Sequence, residues 1–414
     1  MTSESKSHDD KPTPAARRSR FGRAAVATGL AAGVALLCAA AVPASAATAA
    51  SPAAAVAPHA SSASGHLTGS ASAASTAAKR TVAYWTRARM LAAANGASVS
   101  VKSASDSHAA PAIASGPAGR VGGTAPDEAL RGPAVRVPSA TSRGVRPAYG
   151  SIGSPWPGNA SLPPVTTTGR VFFTTRNGES WSCSGSTVNS AGKDSVITAG
   201  HCVYGSLGGQ VSGEGWHTNW IFVPGYHNGY APHGVWTAKE LWTPTAYYDN
   251  QDEGDDMGGA VINTNAYGQH IVNVLGGQGI AWNYANDQFV YDFGYPAEAP
   301  FNGATLQYCT GSEFNWSGIA NTMGLPCNFT GGSSGGPWLM SFNGEFGYVN
   351  GVNDFGYSSL PGYIFAAYFG NNAASLYDAM ANLSRVTWRG SAPTRRTGPA
   401  RCRVGRRAFG VRGR

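Results

Sequence analysis

The chain has 414 residues, of which 42% are hydrophobic and 13% charged, and its formal net charge is +8. The positive charge is confined to the two ends. Residues 151–384 hold four lysines and arginines against sixteen acidic residues, whereas residues 385–414 hold ten arginines and no acid. The acidic centre excludes nucleic-acid binding as the expected function of the folded part, although the overall charge alone would suggest it.

The N-terminus is typical of a secretory signal peptide. Basic residues precede an apolar run from Ala24 to Val42, and Ala44-Ser45-Ala46 follows as a small-residue cleavage site. We therefore assign residues 1–46 to a signal peptide and predict a secreted, extracellular protein with no membrane segment in its mature form. A membrane anchor is the weaker alternative, because the run is rich in alanine and glycine and short of a full span.

Residues 47–165 are dominated by Ala, Ser, Gly and Pro and contain few large apolar side chains. Such a composition buries too little surface to offset the entropy lost on ordering. We predict a largely disordered prosegment and linker, in which only Val82–Ala94 could form a helix. Its basic charge suggests that the prosegment docks on the acidic domain. The arginine-rich residues 385–414 are predicted to be a disordered tail, with binding to polyanions as the alternative.

Residues 166–384 have the sequence pattern of an all-β domain. Short runs rich in Val, Ile, Phe, Tyr, Trp and Thr recur between turns of Gly, Asn, Asp and Pro. Many short strands with glycine-rich turns indicate a sandwich or barrel, and the length suffices for one large or two small barrels. We read Ile271–Leu275 as one of these strands. Only Asn372–Leu383 has a helical spacing of apolar residues.

Ser334 is the candidate nucleophile. It lies in the segment Gly331-Gly332-Ser333-Ser334-Gly335-Gly336-Pro337. Glycines permit positive φ angles and close approach of other segments. They can therefore expose a serine hydroxyl and aim backbone N–H groups into one concavity, which is the geometry of an oxyanion hole. Taken alone, the same segment could also be an ordinary glycine-serine turn or linker.

A serine hydroxyl needs a base, and His201 is the candidate. It ends the string Val196-Ile197-Thr198-Ala199-Gly200-His201-Cys202, an apolar β run followed by small residues and a cysteine that could pin the turn. Asp256 stands directly before a hydrophobic strand and is the candidate that orients the imidazole, with Asp255 as its nearest rival. The acidic loop 249–256 lacks the EF-hand spacing, so we predict no metal and no cofactor and leave calcium binding by the loop open.

Chain order separates the classes of serine hydrolase. The motif Gly332-x-Ser334-x-Gly336 also fits the nucleophile elbow of α/β-hydrolases, but that class has its histidine after the serine, and no histidine follows His270. The order His201, Asp256, Ser334 is that of a chymotrypsin-type triad.

At these residues the chain resembles a known family. Thr198–Cys202 and Gly332–Pro337 are similar to the two signature motifs of chymotrypsin-like serine endopeptidases, with the resemblance covering roughly residues 165–384. Secreted bacterial members, including the glutamyl-endopeptidase-like branch, are closest in character. The resemblance implies two packed six-stranded antiparallel β-barrels, here followed by a short C-terminal helix, with the active site between the barrels.

The resemblance also implies a role for each motif residue. His201 would act as general base and then general acid, Asp256 would orient it, and Ser334 would be the nucleophile. The N–H groups of Gly332 and Ser334 would form the oxyanion hole.

The cysteines predict disulfide bonds, because an exported protein meets an oxidising environment. The central region holds four cysteines, which allow three pairings. We predict the local pairs, Cys183–Cys202 and Cys309–Cys327, and the family resemblance also implies a disulfide beside the histidine. Cys402 stands alone in the tail.

Two positions depart from familiar members of the family. Ser333 stands where many animal members have the aspartate that pairs with a newly freed amine during zymogen activation. The segment Arg120-Val121-Gly122-Gly123 resembles such an activation site, but it lies too far before Cys183 for the usual first strand. We predict activation by removal of the prosegment somewhere between Arg120 and Gly169.

The specificity pocket is the second departure. Asn328 stands six residues before Ser334, where trypsin-like members have an aspartate. We predict that the pocket is lined by Asn328, Thr330, Asn353 and Asp354, although Asp354 could instead face the catalytic Asp/His side. The sequence does not specify the preferred substrate residue.

These observations lead to one function and one alternative. The first is a monomeric, secreted serine endopeptidase that acts on protein or peptide substrates through an acyl-enzyme. The alternative is a catalytically inactive relative that serves as an extracellular or cell-surface binding module.

Overall fold

A computed structural model describes residues 59–62, 71–95, 116–130, 152–205 and 213–386. All of them belong to one compact unit, Pro52–Arg414. The predicted signal peptide, Cys402 and nearly all of the predicted tail lie outside the described residues. Within the described part of the chain, no helix combines the length and apolarity needed to cross a membrane.

The first half of the domain is a closed six-stranded barrel. Its strands are β5 (Thr168–Thr174), β6 (Ser180–Val188), β7 (Ser195–Thr198), β10 (Thr218–Pro224), β11 (Trp236–Thr243) and β12 (Gly258–Ile262). All neighbours pair antiparallel in the order β11-β10-β5-β6-β7-β12, and a β11–β12 ladder closes the ring. The buried side chains of these strands are largely aromatic and β-branched, such as Phe172, Ile197 and Trp220, residue types that favour strands.

The second half is built from two sheets that share a core. The larger sheet contains β13 (Gly279–Trp282), β14 (Phe289–Gly294), β15 (Gln307–Ser312), β18 (Pro337–Met340) and β19 (Tyr348–Val352). The smaller contains β16 (Phe314–Trp316), β17 (Thr322–Pro326) and β20 (Tyr363–Ala367). β13 pairs with β19 in parallel and all other pairs here are antiparallel. The Cys309–Cys327 disulfide, with S–S 2.07 Å, joins the two sheets.

The predicted all-β class with a short C-terminal helix is confirmed. Helix α5 (Asn371–Val386) buries Leu376 and Met380, and Met380 packs where a side chain at Gly259 of β12 would lie. The remaining short elements of this part are α3 (Thr245–Asn250), α4 (Ile271–Leu275) and the hairpin of β8 (Tyr204–Gly205) and β9 (Gly215–Trp216).

One predicted strand is a helix instead. Residues Ile271–Leu275 form the single-turn helix α4, in which Gly276 N–H bonds to the Val272 carbonyl and Gly276 has φ +84°. A short buried apolar run is compatible with either strand or helix, because periodicity cannot separate the two over five residues. Gly276, which ends the turn, was the feature of the sequence that favoured a helix.

The described part of the predicted prosegment is ordered, in contrast to the predicted disorder. It contains helices α1 (Ala71–Tyr84) and α2 (Arg87–Ala92) and the short strands β1 (His59–Ser62), β2 (Ala94–Asn95), β3 (Gly119–Val121) and β4 (Ser154–Pro155). The four strands pair with β11, β6, β13 and β15 respectively. They therefore cover backbone groups of both halves that would otherwise face solvent.

Trp85 anchors this segment on the first barrel. Its ring lies 5.4 Å from that of Phe172, it is 4% exposed, and its indole N–H donates to the Asn219 carbonyl. Burial of one large aromatic side chain stabilises by about 1.5–3 kcal/mol. The composition of the whole segment predicted disorder because it averages this anchor with many alanines and serines.

Candidate active site

His201 lies in a tight turn that follows β7. The one-turn 3-10 helix Gly200–Cys202 carries it, and the Cys183–Cys202 disulfide, with S–S 2.04 Å, ties the turn to β6. The Trp220 indole N–H donates to the Cys202 carbonyl at 3.0 Å. His201 is 1% exposed. The turn is therefore held by a covalent bond on one side and by β10 on the other.

His217 holds the backbone of His201 directly. Its Nε2 lies 3.0 Å from the His201 carbonyl oxygen, and its ring stacks on Phe173 with 4.1 Å between centroids. Burial lowers the pKa of His217 to about 3, so the ring is neutral at ordinary pH. A carbonyl oxygen can only accept, which assigns the proton of His217 to Nε2.

Asp256 receives two hydrogen bonds from His201. The His201 backbone N–H donates to Oδ1 at 2.8 Å, and Nδ1 lies 2.8 Å from Oδ2. Burial opposes ionisation of Asp256, but the charge of His201 and the hydrogen bonds to its side chain outweigh that effect and lower the pKa of Asp256. Asp256 is thus an anion that accepts from Nδ1–H and leaves Nε2 as the basic nitrogen.

Asp255, the rival candidate, faces elsewhere. Its Oδ1 accepts from the Asn372 side-chain amide at 2.8 Å, and burial raises its pKa to about 6. Its contacts connect the acidic loop to α5 rather than to the imidazole. Of the two neighbouring carboxylates, the structure brings only Asp256 into contact with His201.

The Ser334 segment lies against the histidine turn. Gly335 has φ +80°, and a Cβ there would overlap Thr198 Oγ1 and the Ser184 carbonyl, so only glycine fits so close to the end of β7. The Ser184 N–H donates to the Ser334 carbonyl at 2.7 Å, and Cys202 Sγ lies 3.8 Å from that same oxygen. The two sequence motifs therefore meet in space.

Two backbone N–H groups of this segment stay open. The N–H groups of Ser333, Gly335 and Gly336 bond to carbonyls, whereas those of Gly332 and Ser334 have no acceptor among the described residues. Gly332 has φ +95°, a conformation that favours glycine. Unpaired donors one residue apart are what an oxyanion hole requires.

The His201 Nε2 atom is also unpartnered. It is buried and makes no hydrogen bond within the described part of the chain. Because Nδ1 is committed to Asp256, Nε2 is the nitrogen available to exchange a proton with a neighbouring group.

The four predicted pocket residues are all engaged inside the fold. Asn328 accepts from the Gly153 N–H at 2.7 Å, and the Thr330 hydroxyl both accepts from and donates to the Glu298 backbone. Asn353 is 0% exposed and donates to Asp292 at 2.7 Å. Asp354 is 1% exposed and lies 3.7 Å from His201 Nδ1.

Two of these four residues are buried in the interior, Asn353 and Asp354. Of the two orientations considered for Asp354, the structure shows the one toward His201 and Asp256. A role in the specificity pocket stays a prediction for all four residues.

Ser333 and Arg120 each contact another part of the fold. The Ser333 hydroxyl donates to the Thr330 carbonyl at 2.8 Å. Arg120 lies in β3, opposite Ala281 of β13. The described contacts therefore give each residue a local structural partner.

His201, Asp256 and Asp354 form a set of possible metal ligands, since their nitrogen and oxygen atoms lie within 4.8 Å of one another. Imidazole and carboxylate could bind a divalent cation. The 2.8 Å His201–Asp256 contact is equally that of a direct hydrogen bond and requires no ion. The absence of a metal cofactor stays a prediction.

Sequence reasoning missed two residues that shape this site, His217 and Trp220, and left open which way Asp354 faces. His217 directly precedes β10 and Trp220 lies on it, outside the motif in sequence, and a lone histidine or tryptophan predicts only packing. A buried carboxyl shortly after a strand was the only signal for Asp354, and it did not specify the direction of the side chain.

Comparison with known proteins gives a consistent result. No protein-family model and no curated protein matches the chain. The crystal structure of the protease Anisep from Arthrobacter nicotinovorans is 41% identical, with 53% of this chain and 98% of that chain covered and a TM-score of 0.48. The thermostable serine protease AL20 from an extremophilic microorganism is 37% identical, with the same coverage and a TM-score of 0.49.

A solved Glu endopeptidase is 18% identical, with a TM-score of 0.44, and covers 55% of this chain and 96% of that one. That likeness is too distant to carry an argument about substrate preference. The first two relatives, each matched over nearly its whole length at more than a third identity, decide the family. The chain belongs to the bacterial chymotrypsin-like serine proteases.

Proposed function

We propose that the protein is a secreted serine endopeptidase that hydrolyses peptide bonds through Ser334, His201 and Asp256 and forms an acyl-enzyme. The observation that carries the proposal is the state of His201. Its Nδ1 is bonded to the Asp256 carboxylate at 2.8 Å, while Nε2 has no hydrogen-bond partner among the residues that the structure describes. A general base needs one nitrogen fixed by an acceptor and the other available.

The proposed mechanism begins with attack of Ser334 Oγ on the scissile carbonyl carbon. His201 Nε2 takes the hydroxyl proton, and Asp256 stabilises the imidazolium without accepting that proton. The C–N bond then breaks as Nε2 protonates the leaving amine. A water molecule repeats the sequence on the ester, and the acid product leaves with Ser334 restored.

Stabilisation of the tetrahedral intermediate is assigned to the N–H groups of Gly332 and Ser334. Their unpaired state supports this role, because donors already bonded within the protein would have to break those bonds first. Removing one oxyanion-hole donor costs roughly 10²–10³-fold in kcat in serine proteases.

Substrates and location follow from the family and the sequence. Proteins or peptides are the proposed substrates, and export is proposed from the signal peptide in residues 1–46. The docked residues 71–95 support the proposal that the chain's own prosegment is a partner of the domain. The monomeric state and removal of the prosegment before activity are proposals of the same kind.

A fluorophosphonate probe tests the nucleophile. We expect the wild-type protein to be labelled and Ser334→Ala to lose labelling completely, since the probe reacts with an activated serine hydroxyl. Ser333→Ala is the matched control, because its hydroxyl donates only to the Thr330 carbonyl. It should be labelled at close to the wild-type rate.

Two outcomes would count against the proposal. Labelling that survives Ser334→Ala would assign the nucleophile elsewhere. A folded wild-type protein that neither reacts with the probe nor cleaves a peptide library would instead favour the inactive binding module.

A further inference from the structure

A second carboxyl group lies beside the candidate triad. Asp354 comes two residues after the end of β19, its side chain is 0% exposed, and its Oδ1 is 3.7 Å from His201 Nδ1. The Asp354 carboxyl also lies beside that of Asp256: one oxygen of each and a ring nitrogen of His201 lie within 4.8 Å of one another. The Asp354 N–H donates to the Phe365 carbonyl at 2.9 Å, which fixes the residue against β20.

Two buried carboxyl groups can bond to each other only if one carries a proton. An ionised carboxylate is an acceptor alone, and two adjacent anions in a site of low dielectric repel strongly. The other titratable groups beside this cluster are His201 and Tyr247, and the charges of Glu253 and Tyr204 act on Tyr247. Burial raises the pKa of Tyr247 well above its usual value, so its hydroxyl is neutral and adds no charge.

The contacts decide which carboxyl keeps the proton. Asp256 accepts from both the backbone N–H and the Nδ1 side of His201, each at 2.8 Å. Two such donors favour the anion at Asp256. If the two neighbouring carboxyls hold one proton between them, that proton therefore belongs to Asp354.

We propose that Asp354 is a positioning residue that stays protonated and donates its O–H to Asp256, an inference that rests on the proposed function. Asp256 then accepts hydrogen bonds from His201 of the first barrel and from Asp354 of the second half. The contact fixes the carboxylate for the imidazole and links the two halves at the site. Asp354 keeps its proton throughout the reaction, so the proton of Ser334 still travels only to His201 Nε2 and the leaving group.

Two substitutions separate positioning from simple packing. Asp354→Asn keeps the shape and an N–H donor but cannot ionise, whereas Asp354→Ala removes the donor. We expect Asp354→Asn to retain kcat within about threefold and Asp354→Ala to lose about 10- to 100-fold in kcat with KM within twofold, as for loss of a hydrogen bond to a charged group. In Asp354→Ala the acidic limb of the kcat/KM profile should also move to higher pH, because the charge of Asp256 is no longer shared.

Glu313→Gln is the matched control. Glu313 is another buried carboxyl of the second half, but it bonds to the Asn350 side chain at 2.6 Å rather than to the triad. Its substitution should leave the acidic limb where it is. A movement of the limb in both variants would show a general effect of removing a buried acid and would overturn the proposal.

Infrared difference spectroscopy tests the protonation without catalysis. In a Ser334→Ala background, the spectrum minus that of Ser334→Ala/Asp354→Asn should show the C=O stretch of one protonated carboxylic acid. A carboxylate band in its place would overturn the proposal whether or not Asp354→Ala folds. So would a folded Asp354→Ala protein with unchanged kcat and pH profile, or a folded Asp354→Asn protein as impaired as Asp354→Ala.

Failure of the proposed function would look different. If the wild-type protein does not react with a fluorophosphonate while the infrared band of protonated Asp354 is present, the serine protease assignment falls and the protonated contact stands.

Discussion

The two halves of the domain differ in how far the polar groups of the candidate site are already hydrogen-bonded. In the first barrel, His201 is bonded through its backbone N–H, its carbonyl oxygen and its Nδ1. In the second half, the Ser334 segment leaves the N–H groups of Gly332 and Ser334 without acceptors among the described residues. A base has to be held in one tautomer before the reaction, whereas donors for a developing oxyanion have to stay unpaired until the charge forms.

The two disulfides follow the same division. They span similar sequence separations, 19 residues for Cys183–Cys202 and 18 for Cys309–Cys327. The first includes the residue next to His201 and fixes the turn itself. The second ends at Cys327, seven residues before Ser334, and so fixes the chain that leads into the Ser334 segment, whose glycines set the local geometry.

The largest effect is expected from removing the contact that fixes the His201 ring in the first barrel. Asp256→Asn should lower kcat by about 10⁴-fold, because an amide in place of the carboxylate favours the wrong imidazole tautomer. Steady-state hydrolysis of a peptide substrate measures the loss. Asp255→Asn is the control and should keep kcat within about threefold, since Asp255 bonds to Asn372. Equal losses in the two variants would contradict the assignment of Asp256.

A smaller effect is expected from His217, which supports the same turn from behind. His217→Phe fills the site but leaves the His201 carbonyl oxygen without its donor, and should lower kcat by about tenfold with little change in KM. His217→Gln can restore a donor and should recover part of the loss. His270→Gln is the control, because His270 pairs with Asp194 at 2.7 Å on a half-exposed site. If His217→Phe were as active as His270→Gln, the bond to the backbone would have no catalytic consequence.

The smallest expected effect is on the pH dependence of stability, through a buried acid of the second half. Burial raises the pKa of Glu313 in the second half to about 8, against an ordinary value of 4.5. Between these values the native state keeps a proton that the unfolded chain has lost. Stability therefore falls as pH rises through this window, by up to about 1.4 kcal/mol per pH unit, and levels off above it.

Urea unfolding at several pH values from 4 to 9 measures this dependence. The difference between wild type and Glu313→Gln isolates the contribution of Glu313 from that of other buried acids, such as Asp255 in the first half. A difference that does not change with pH would show that Glu313 does not titrate in this window.

The outcome for the predicted prosegment shows where composition misleads. Residues 47–165 predict disorder on average, yet Trp85 is buried against Phe172 and short strands pair with the edges of both halves. A single aromatic anchor and backbone pairing require few large side chains. Average composition therefore cannot detect them.

The sequence by itself determined the all-β class, the meeting of two motifs and the chain order of their residues. These features are local, since strand-forming runs, glycine-rich turns and a β run ending in Gly-His-Cys are each readable within a few residues. Tertiary structure alone decided which carboxylate contacts His201, that His217 and Trp220 hold the turn Gly200–Cys202, and that Asp354 lies on the side of His201 and Asp256. The physical reason is that a side chain's partners come from distant strands, and the direction in which a buried polar group points depends on donors and acceptors that only folding brings together.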